Sequence, residues 1–274
     1  MSLGLVGLQV GGSYYIWTSE LVLFDTFFSS IASLIVFGHA SFNQYYTTYK
    51  LKEEIKKQFQ KYLSPDMVDQ LAENPELLKL GGDRKEMTFM FMDICGFTPI
   101  SEHYKNNDDP EGLVELINKF LDMQTKIILN NKGTIDKYMG DCIMSFWNAP
   151  LDCKDHAELA VKSALEVLQA TKELNEELKP LNLPPINVGI GISTGECIVG
   201  NMGSELRFDY SVIGDAVNLG ARLEGQTRNY EGVDVLLSEE TYRQCPSRTF
   251  TEVDRIKVKG KSEQVTIYTP MENS

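Results

Sequence analysis

The chain has 274 residues, with 42% hydrophobic and 24% charged side chains, and Lys+Arg 26 against Asp+Glu 39 leaves a formal net charge of -13. That balance argues against a nucleic-acid binder, which presents a basic face to phosphates. It leaves room for a nucleotide, whose phosphates reach acidic side chains through bound Mg²⁺, and the length suits one sizeable domain plus an appendage or two small domains.

The N-terminus differs from the rest. From Leu21 to Tyr46 the sequence reads LVLFDTFFSSIASLIVFGHASFNQYY, with Asp25 and His39 the ionisable groups inside the run. A helix over Leu21–Phe42 would be about 33 Å long, enough to cross a bilayer core. Tyr14, Tyr15 and Trp17 lie before it and Tyr45, Tyr46 and Tyr49 after it, as an interfacial belt requires. Lys50, Lys52, Lys56, Lys57 and Lys61 follow, which places the C-terminal side in the cytoplasm. Asp25 keeps a buried or amphipathic helix open as the alternative. Residues 1–46 are thus read as a membrane segment, with residues before the span the remnant of another.

Residues 47–84 read as a stalk. Leu51, Ile55, Phe59, Tyr62 and Leu63 recur at helical spacing, and Ser64-Pro65-Asp66 starts a short helix with Met67, Val68 and Leu71 facing inward. Residues 85–274 mix strands and helices. Glu86–Asp93 is a buried strand and Gly112–Leu129 a helix. Thr134–Asp141 and Cys142–Trp147 form a hairpin, and Ala157–Leu178 is a long helix. Ile186–Thr194 and Cys197–Asn201 read as a strand pair, Ala216–Gln226 as a helix, and short strands lie near Val235, Phe250 and Val265. These units predict an α+β sandwich of ferredoxin-like type. The five cysteines, Cys95, Cys142, Cys153, Cys197 and Cys245, contain no C-x-x-C pair and point to reduced thiols. His39, His103 and His156 have no visible partner and are assigned to surfaces or helix ends.

Asp93 ends the first strand and is followed by Ile94-Cys95-Gly96-Phe97-Thr98. A carboxylate beside free backbone N–H groups suits a divalent metal and a phosphate. Asp141 sits at the hairpin turn in Lys137-Tyr138-Met139-Gly140-Asp141, where it can share a metal pair with Asp93. Asn218 and Arg222 are four apart on one helix and project from the same face.

FMDICGFTPISE, DKYMGDCIMSFW, GISTGECIVGNMGS and DYSVIGDAVNLGARLE follow one another as in class III nucleotidyl cyclases, which residues 55 to 270 resemble. The KVKGK stretch and FQKYLSPDMV also match, and the apolar segment is similar to the tail of a bacterial receptor adenylate cyclase at the cell inner membrane. The resemblance implies conversion of ATP to cyclic AMP and pyrophosphate with two Mg²⁺ (or Mn²⁺) ions. Asp93 and Asp141 match its metal aspartates, with the Ile94 carbonyl as a further ligand. Asn218 and Arg222 match the pair that holds the ribose and stabilises the charged phosphorus centre. Lys137 and Ser211 lie at the purine-selecting positions, and Lys259 at a triphosphate-binding lysine. Arg207 is aligned as a further phosphate contact, and Gly96, Phe97 and Thr98 as the phosphate-facing turn. Lys137 favours ATP because its ammonium donates to the adenine N1 acceptor. Ser211 stands where Asp or Thr is more usual, and Ser or Thr there resembles a bicarbonate-responsive subgroup. The family's metal aspartates and transition-state pair meet across a dimer interface, so the resemblance implies a homodimer with two shared sites. A guanylate cyclase and a catalytically inactive signalling module are the alternatives; Asp93, Asp141, Asn218 and Arg222 are all in place.

Overall fold

The computed structural model describes residues 2–20, 27–60, 68–69, 72–73, 82–204, 207–257 and 264–271. The chain divides into two compact units, Met1–Gln58 and Phe59–Ser274.

The first unit is helical. Helix α1 spans Ser2–Glu20, and helix α2 spans Phe27–Phe59, with no interruption where the membrane segment and the stalk were expected to meet. Among the described residues, no helix is long and apolar enough to cross a membrane. Ser29, Ser30, Ser33, His39, Ser41 and Asn43 dilute the apolar residues of α2. Residues 21–26, the opening of the expected span, lie outside the described residues. So do residues 61–67, where the short stalk helix was expected to begin. Val68, read as inward-facing, is buried, as is Ala72.

The second unit is built on strand β1, Asp83–Cys95. Its run of apolar residues divides by parity. Met90, Met92 and Ile94 enter one core, while Met87, Phe89 and Phe91 enter another on the opposite face. Successive side chains of a strand point to opposite faces, so an unbroken apolar run marks a strand covered on both sides. Helix α3 (Phe97–Asn106) and helix α4 (Pro110–Asn130) follow. Pro110 occupies the first turn of α4, and Asp109 caps it by accepting from the Gly112 N–H at 3.0 Å.

Strands β2 (Thr134–Met139) and β3 (Cys142–Trp147) form the expected hairpin. Helix α5 spans His156–Leu178 and leads to strand β4, Asn187–Ser204. Strand β5 (Arg207–Ile213), helix α6 (Asp215–Gln226), strand β6 (Val235–Ser238), helix α7 (Glu239–Arg243), and strands β7 (Phe250–Lys257) and β8 (Gln264–Pro270) complete the unit. The sheet order is β2-β3-β1-β4-β6-β8-β7, with β5 paired to β4. Its first four strands, joined through helices after β1 and β3, have the ferredoxin-like arrangement that the sequence predicts.

The strand pair expected at Ile186–Thr194 and Cys197–Asn201 is a single strand. All of β1 pairs with β4, from Asp83↔Val199 to Cys95↔Asn187, and this continuous ladder carries β4 through Gly195 without a turn. A Cβ on Gly195 would lie 3.0 Å from the Ala216 Cβ, so this glycine serves the approach of α6.

His156 stands at a helix end, the start of α5, as expected, but it is buried and has a partner. Its Nδ1 is 2.7 Å from the Thr88 hydroxyl. Thr88 continues to the Thr194 hydroxyl at 2.8 Å, and Thr194 to Thr241 at 3.0 Å, a polar chain running through the core. Burial holds the His156 imidazole below its usual pKa. The unfolded chain therefore binds a proton that the folded chain refuses, and this stabilising contribution, present above about pH 6.5, is lost as pH falls below it. The urea midpoint should fall between pH 7.5 and 5.5, and His156→Gln should flatten that fall. An unchanged slope in the variant would remove His156 as its source.

Candidate active site

Asp93 lies near the end of β1 on the parity of Met87, Phe89 and Phe91, which is the face covered by α6. The β1–β3 register runs to Met92↔Ile143, so the hairpin turn carrying Asp141 stands beside the end of β1. The two carboxylates approach closely. Burial pushes the Asp141 carboxyl above the usual carboxylate range and the negative charge of Asp93 adds to this, while the backbone N–H groups of Asp141 and Ile94 draw it back. Beyond them, Gly96 takes a left-handed φ of 70° and opens α3 with no side-chain cap, leaving the N–H groups of the first turn to face an anion. Phe97 packs on the core and Thr98 is exposed.

The sequence reading did not include two further groups at this site. Glu224, on α6, has a side chain 12% exposed, and Arg228 follows one turn later. The Arg228 Nη2 donates to Asp93 Oδ2 at 2.8 Å and to Glu224 Oε1 at 3.2 Å. Burial pushes Glu224 up to about 7; Asp93 and Asp141 add to the rise and Arg228 opposes it. Glu224 thus pairs with Arg228 across one helical turn. The Glu-x-x-x-Arg spacing was a legible signal for the pair, though its placement on Asp93 was not. Two cysteines flank the aspartates. Burial raises the pKa of Cys95, with Arg228 acting against it, and burial with the charge of Asp93 pushes Cys142 up to about 12. All five cysteines are free thiols.

The other expected residues are distributed as follows. Asn218 is exposed and Arg222 half-buried on α6. Among the described residues, no hydrogen bond or ion pair joins either side chain to Asp93 or Asp141. Two residues of helix turn the side-chain direction by about 200°, so Arg222 and Glu224 leave α6 on opposite sides. Lys137 is half exposed on β2, with its Nζ 3.1 Å from Asp136 Oδ2. Ser211 is buried on β5 opposite Gly200. Ile94 is buried, Arg207 opens β5, and Lys259 lies outside the described residues.

The two converging carboxylates are hard oxygen donors suited to Mg²⁺ or Mn²⁺. A cation between Asp93 and Asp141 would also relieve the repulsion that raises Asp141, so the residues fit such an ion. Among the described residues, no group of three or more His, Cys, Asp or Glu is arranged to hold a metal alone. Mg²⁺ ordinarily takes one or two carboxylates and completes its shell with water and substrate phosphates.

The position of α6 depends on a glycine. A Cβ on Gly191 of β4 would collide with the Glu224 backbone N and the Gly220 carbonyl. Helix and strand therefore meet backbone to backbone. Gly191→Ala should cost about 1–3 kcal/mol, read as a lower urea midpoint, because the helix must move outward. An unchanged midpoint would mean that α6 is not held by this approach.

Comparison with known proteins agrees with this arrangement. Residues 82–270 match the adenylate and guanylate cyclase catalytic domain. The chain is 36% identical over 186 residues to adenylate cyclase 1 of Rhizobium meliloti, covering 68% of this chain and 27% of that protein. It is 35% identical over 226 residues to an adenylate cyclase of Anabaena cylindrica, covering 80% of this chain and 43% of the relative. The chain thus spans less than half the length of these relatives. Among solved structures, the adenylyl cyclase CyaB of P. aeruginosa superposes with a TM-score of 0.65 at 37% identity, covering 70% of this chain and 96% of that one. The guanylyl cyclase Cya2 superposes with a TM-score of 0.61 at 35% identity, covering 70% and 94%. The fold and the paired aspartates define a nucleotidyl cyclase domain of class III. The chain belongs to the adenylate and guanylate cyclase catalytic domain family.

Proposed function

We propose that this chain is an adenylate cyclase, converting ATP to 3′,5′-cyclic AMP and pyrophosphate at two sites shared between the subunits of a homodimer. The observation that carries the cyclase reading is the apposition of Asp93 and Asp141 beside the uncapped turn at Gly96. The substrate rests on other residues, because the solved adenylyl and guanylyl cyclases match almost equally well, at 37% and 35% identity. Lys137, half exposed on β2, donates to the N1 acceptor of adenine, where guanine presents an N–H donor. The Ser211 hydroxyl accepts from the exocyclic amine.

In the reaction the ribose 3′-oxygen bonds to the α-phosphorus, the bond from that phosphorus to the bridging oxygen of pyrophosphate breaks in line, and the hydroxyl proton passes to solvent water. Asp93, Asp141 and the Ile94 carbonyl would hold two Mg²⁺ or Mn²⁺ ions, which would supply the acidification of the hydroxyl and the neutralisation of the leaving phosphates. The N–H groups of Gly96, Phe97 and Thr98 receive phosphate oxygens. Asn218 orients the ribose. Arg222 stabilises the charge that grows on the equatorial oxygens, where a fixed guanidinium is a better clamp than a mobile ammonium. Lys259 and Arg207 neutralise the triphosphate.

The separation of Asp93 and Asp141 from Asn218 and Arg222 within one chain supports the shared site. Purified protein should form cyclic AMP from ATP in preference to cyclic GMP from GTP, with specific activity that rises with protein concentration. Asp93→Ala and Arg222→Ala should each abolish turnover without loss of fold, and mixing them should restore activity through hybrid dimers. Failure of the mixture, with hybrid dimers demonstrated, would sink the shared site. Absence of cyclic product from folded, dimeric wild type would favour the signalling-module reading.

The membrane anchor is part of the same proposal, with the catalytic part in the cytoplasm at the cell inner membrane. Its support is the exposed apolar surface of α2, where Phe27, Phe28, Leu34, Ile35, Val36 and Phe37 all face outward. The full chain should sediment with membranes and resist alkaline carbonate, while residues 47–274 should stay in the supernatant. Release of the full chain by carbonate would dismiss an integral anchor.

A further inference from the structure

Three carboxylates, Asp93, Asp141 and Glu224, come together near the end of β1: the charge of Asp93 raises Asp141, and both aspartates add to the rise of Glu224. The cation that the described contacts bring to them is Arg228, whose Nη2 lies between Asp93 Oδ2 at 2.8 Å and Glu224 Oε1 at 3.2 Å. The backbone that delivers Arg228 is well anchored. The single turn Thr227–Asn229 extends α6, Thr227 is buried, and its hydroxyl donates to the Glu224 carbonyl at 2.7 Å. The side chain is not anchored in the same way. It is 48% exposed, against 24% for Asp93 and 12% for Glu224, so the guanidinium sits on the solvent side of the carboxylates it bridges. An ion coordinating Asp93 through Oδ2 would share that oxygen with this guanidinium, so the two cations compete for it.

We propose that Arg228 is the resident cation of the metal-free site, bridging Asp93 to Glu224, and that a divalent ion binds by displacing it from Asp93. Arg228 is then a positioning residue that weakens metal binding in the absence of nucleotide. After displacement its bond to Glu224 remains, which keeps that third carboxylate neutralised and out of the metal shell. The site stays short of negative charge until a nucleotide brings its own phosphates, so ion and substrate are favoured together. The proposal rests on the reading of Asp93 as a metal ligand.

The test is Mn²⁺ binding to the full chain without nucleotide, followed by the electron paramagnetic resonance of the free ion. Arg228→Gln should bind Mn²⁺ about three- to fivefold more tightly than wild type, the scale of losing one partly exposed ion pair. Arg228→Lys, too short to span both carboxylates, should give a smaller gain in the same direction. Arg243→Gln removes an equal charge from a surface pair with Glu239 and should leave binding unchanged. In the wild type, Mg²⁺ should move the Arg228 guanidinium ¹⁵N resonance, a readout available even where a variant folds poorly. Unchanged or weaker binding in Arg228→Gln, an equal gain in Arg243→Gln, or an unmoved resonance would each overturn the displacement. Asp93→Asn separates the two readings. If it leaves Mn²⁺ binding intact, the metal assignment fails and the proposal with it. If it removes binding while Arg228→Gln changes nothing, only the displacement fails.

Discussion

The pairing of β1 with β4 along all thirteen residues of β1 is the constraint on which the rest of the catalytic unit depends. It aligns a strand whose two faces are both buried, so one core receives Met90 and Met92 and the other Phe89 and Phe91. Full burial of side chains of this size contributes about 1.5–3 kcal/mol each, and a one-residue slip would exchange the two sets and turn Asp93 away from α6. The same ladder delivers Gly191 to the point where α6 must touch the strand. Core and site are therefore registered by a single set of hydrogen bonds.

Electrostatics then defines the site more sharply than shape does. Asp93, Asp141 and Glu224 lie close enough to one another that burial and mutual repulsion raise the pKa of two of them. Such crowding is unfavourable without a cation. Arg228 supplies one in the structure, and the family's chemistry calls for others. If Asp93 holds a metal as proposed, catalytic and structural demands meet on the same oxygen atom, Asp93 Oδ2.

Much of this was legible in the sequence because it rests on short-range patterns. Parity along EMTFMFMD, the glycine turn before Asp141 and the four-residue spacing of Asn218 and Arg222 each point to one local geometry. The readings that failed depend on partners distant in sequence. Thr194-Gly195-Glu196 reads locally as a turn, and only the β1 ladder makes it part of a strand. His156 finds Thr88 across 68 positions, and Arg228 finds Asp93 across 135, so no local pattern reports either contact. Strand β5 escaped notice because the motif DYSVIG was read for its chemistry and not for its alternation.

Helix α6 carries two unlike sets of residues on a span of twelve. Glu224, with Arg228 just beyond its end, faces the aspartates of its own chain, while Asn218 and Arg222 project elsewhere, and Gly191 and Gly220 mark the backbone contact beneath them. A short helix seated this way is held to the sheet at one backbone contact, with its two sets of residues on either side of it. In the homodimer proposed above, this helix would join one subunit's metal end to its partner's phosphate end, so a displacement at one site would reach the other through a single helix.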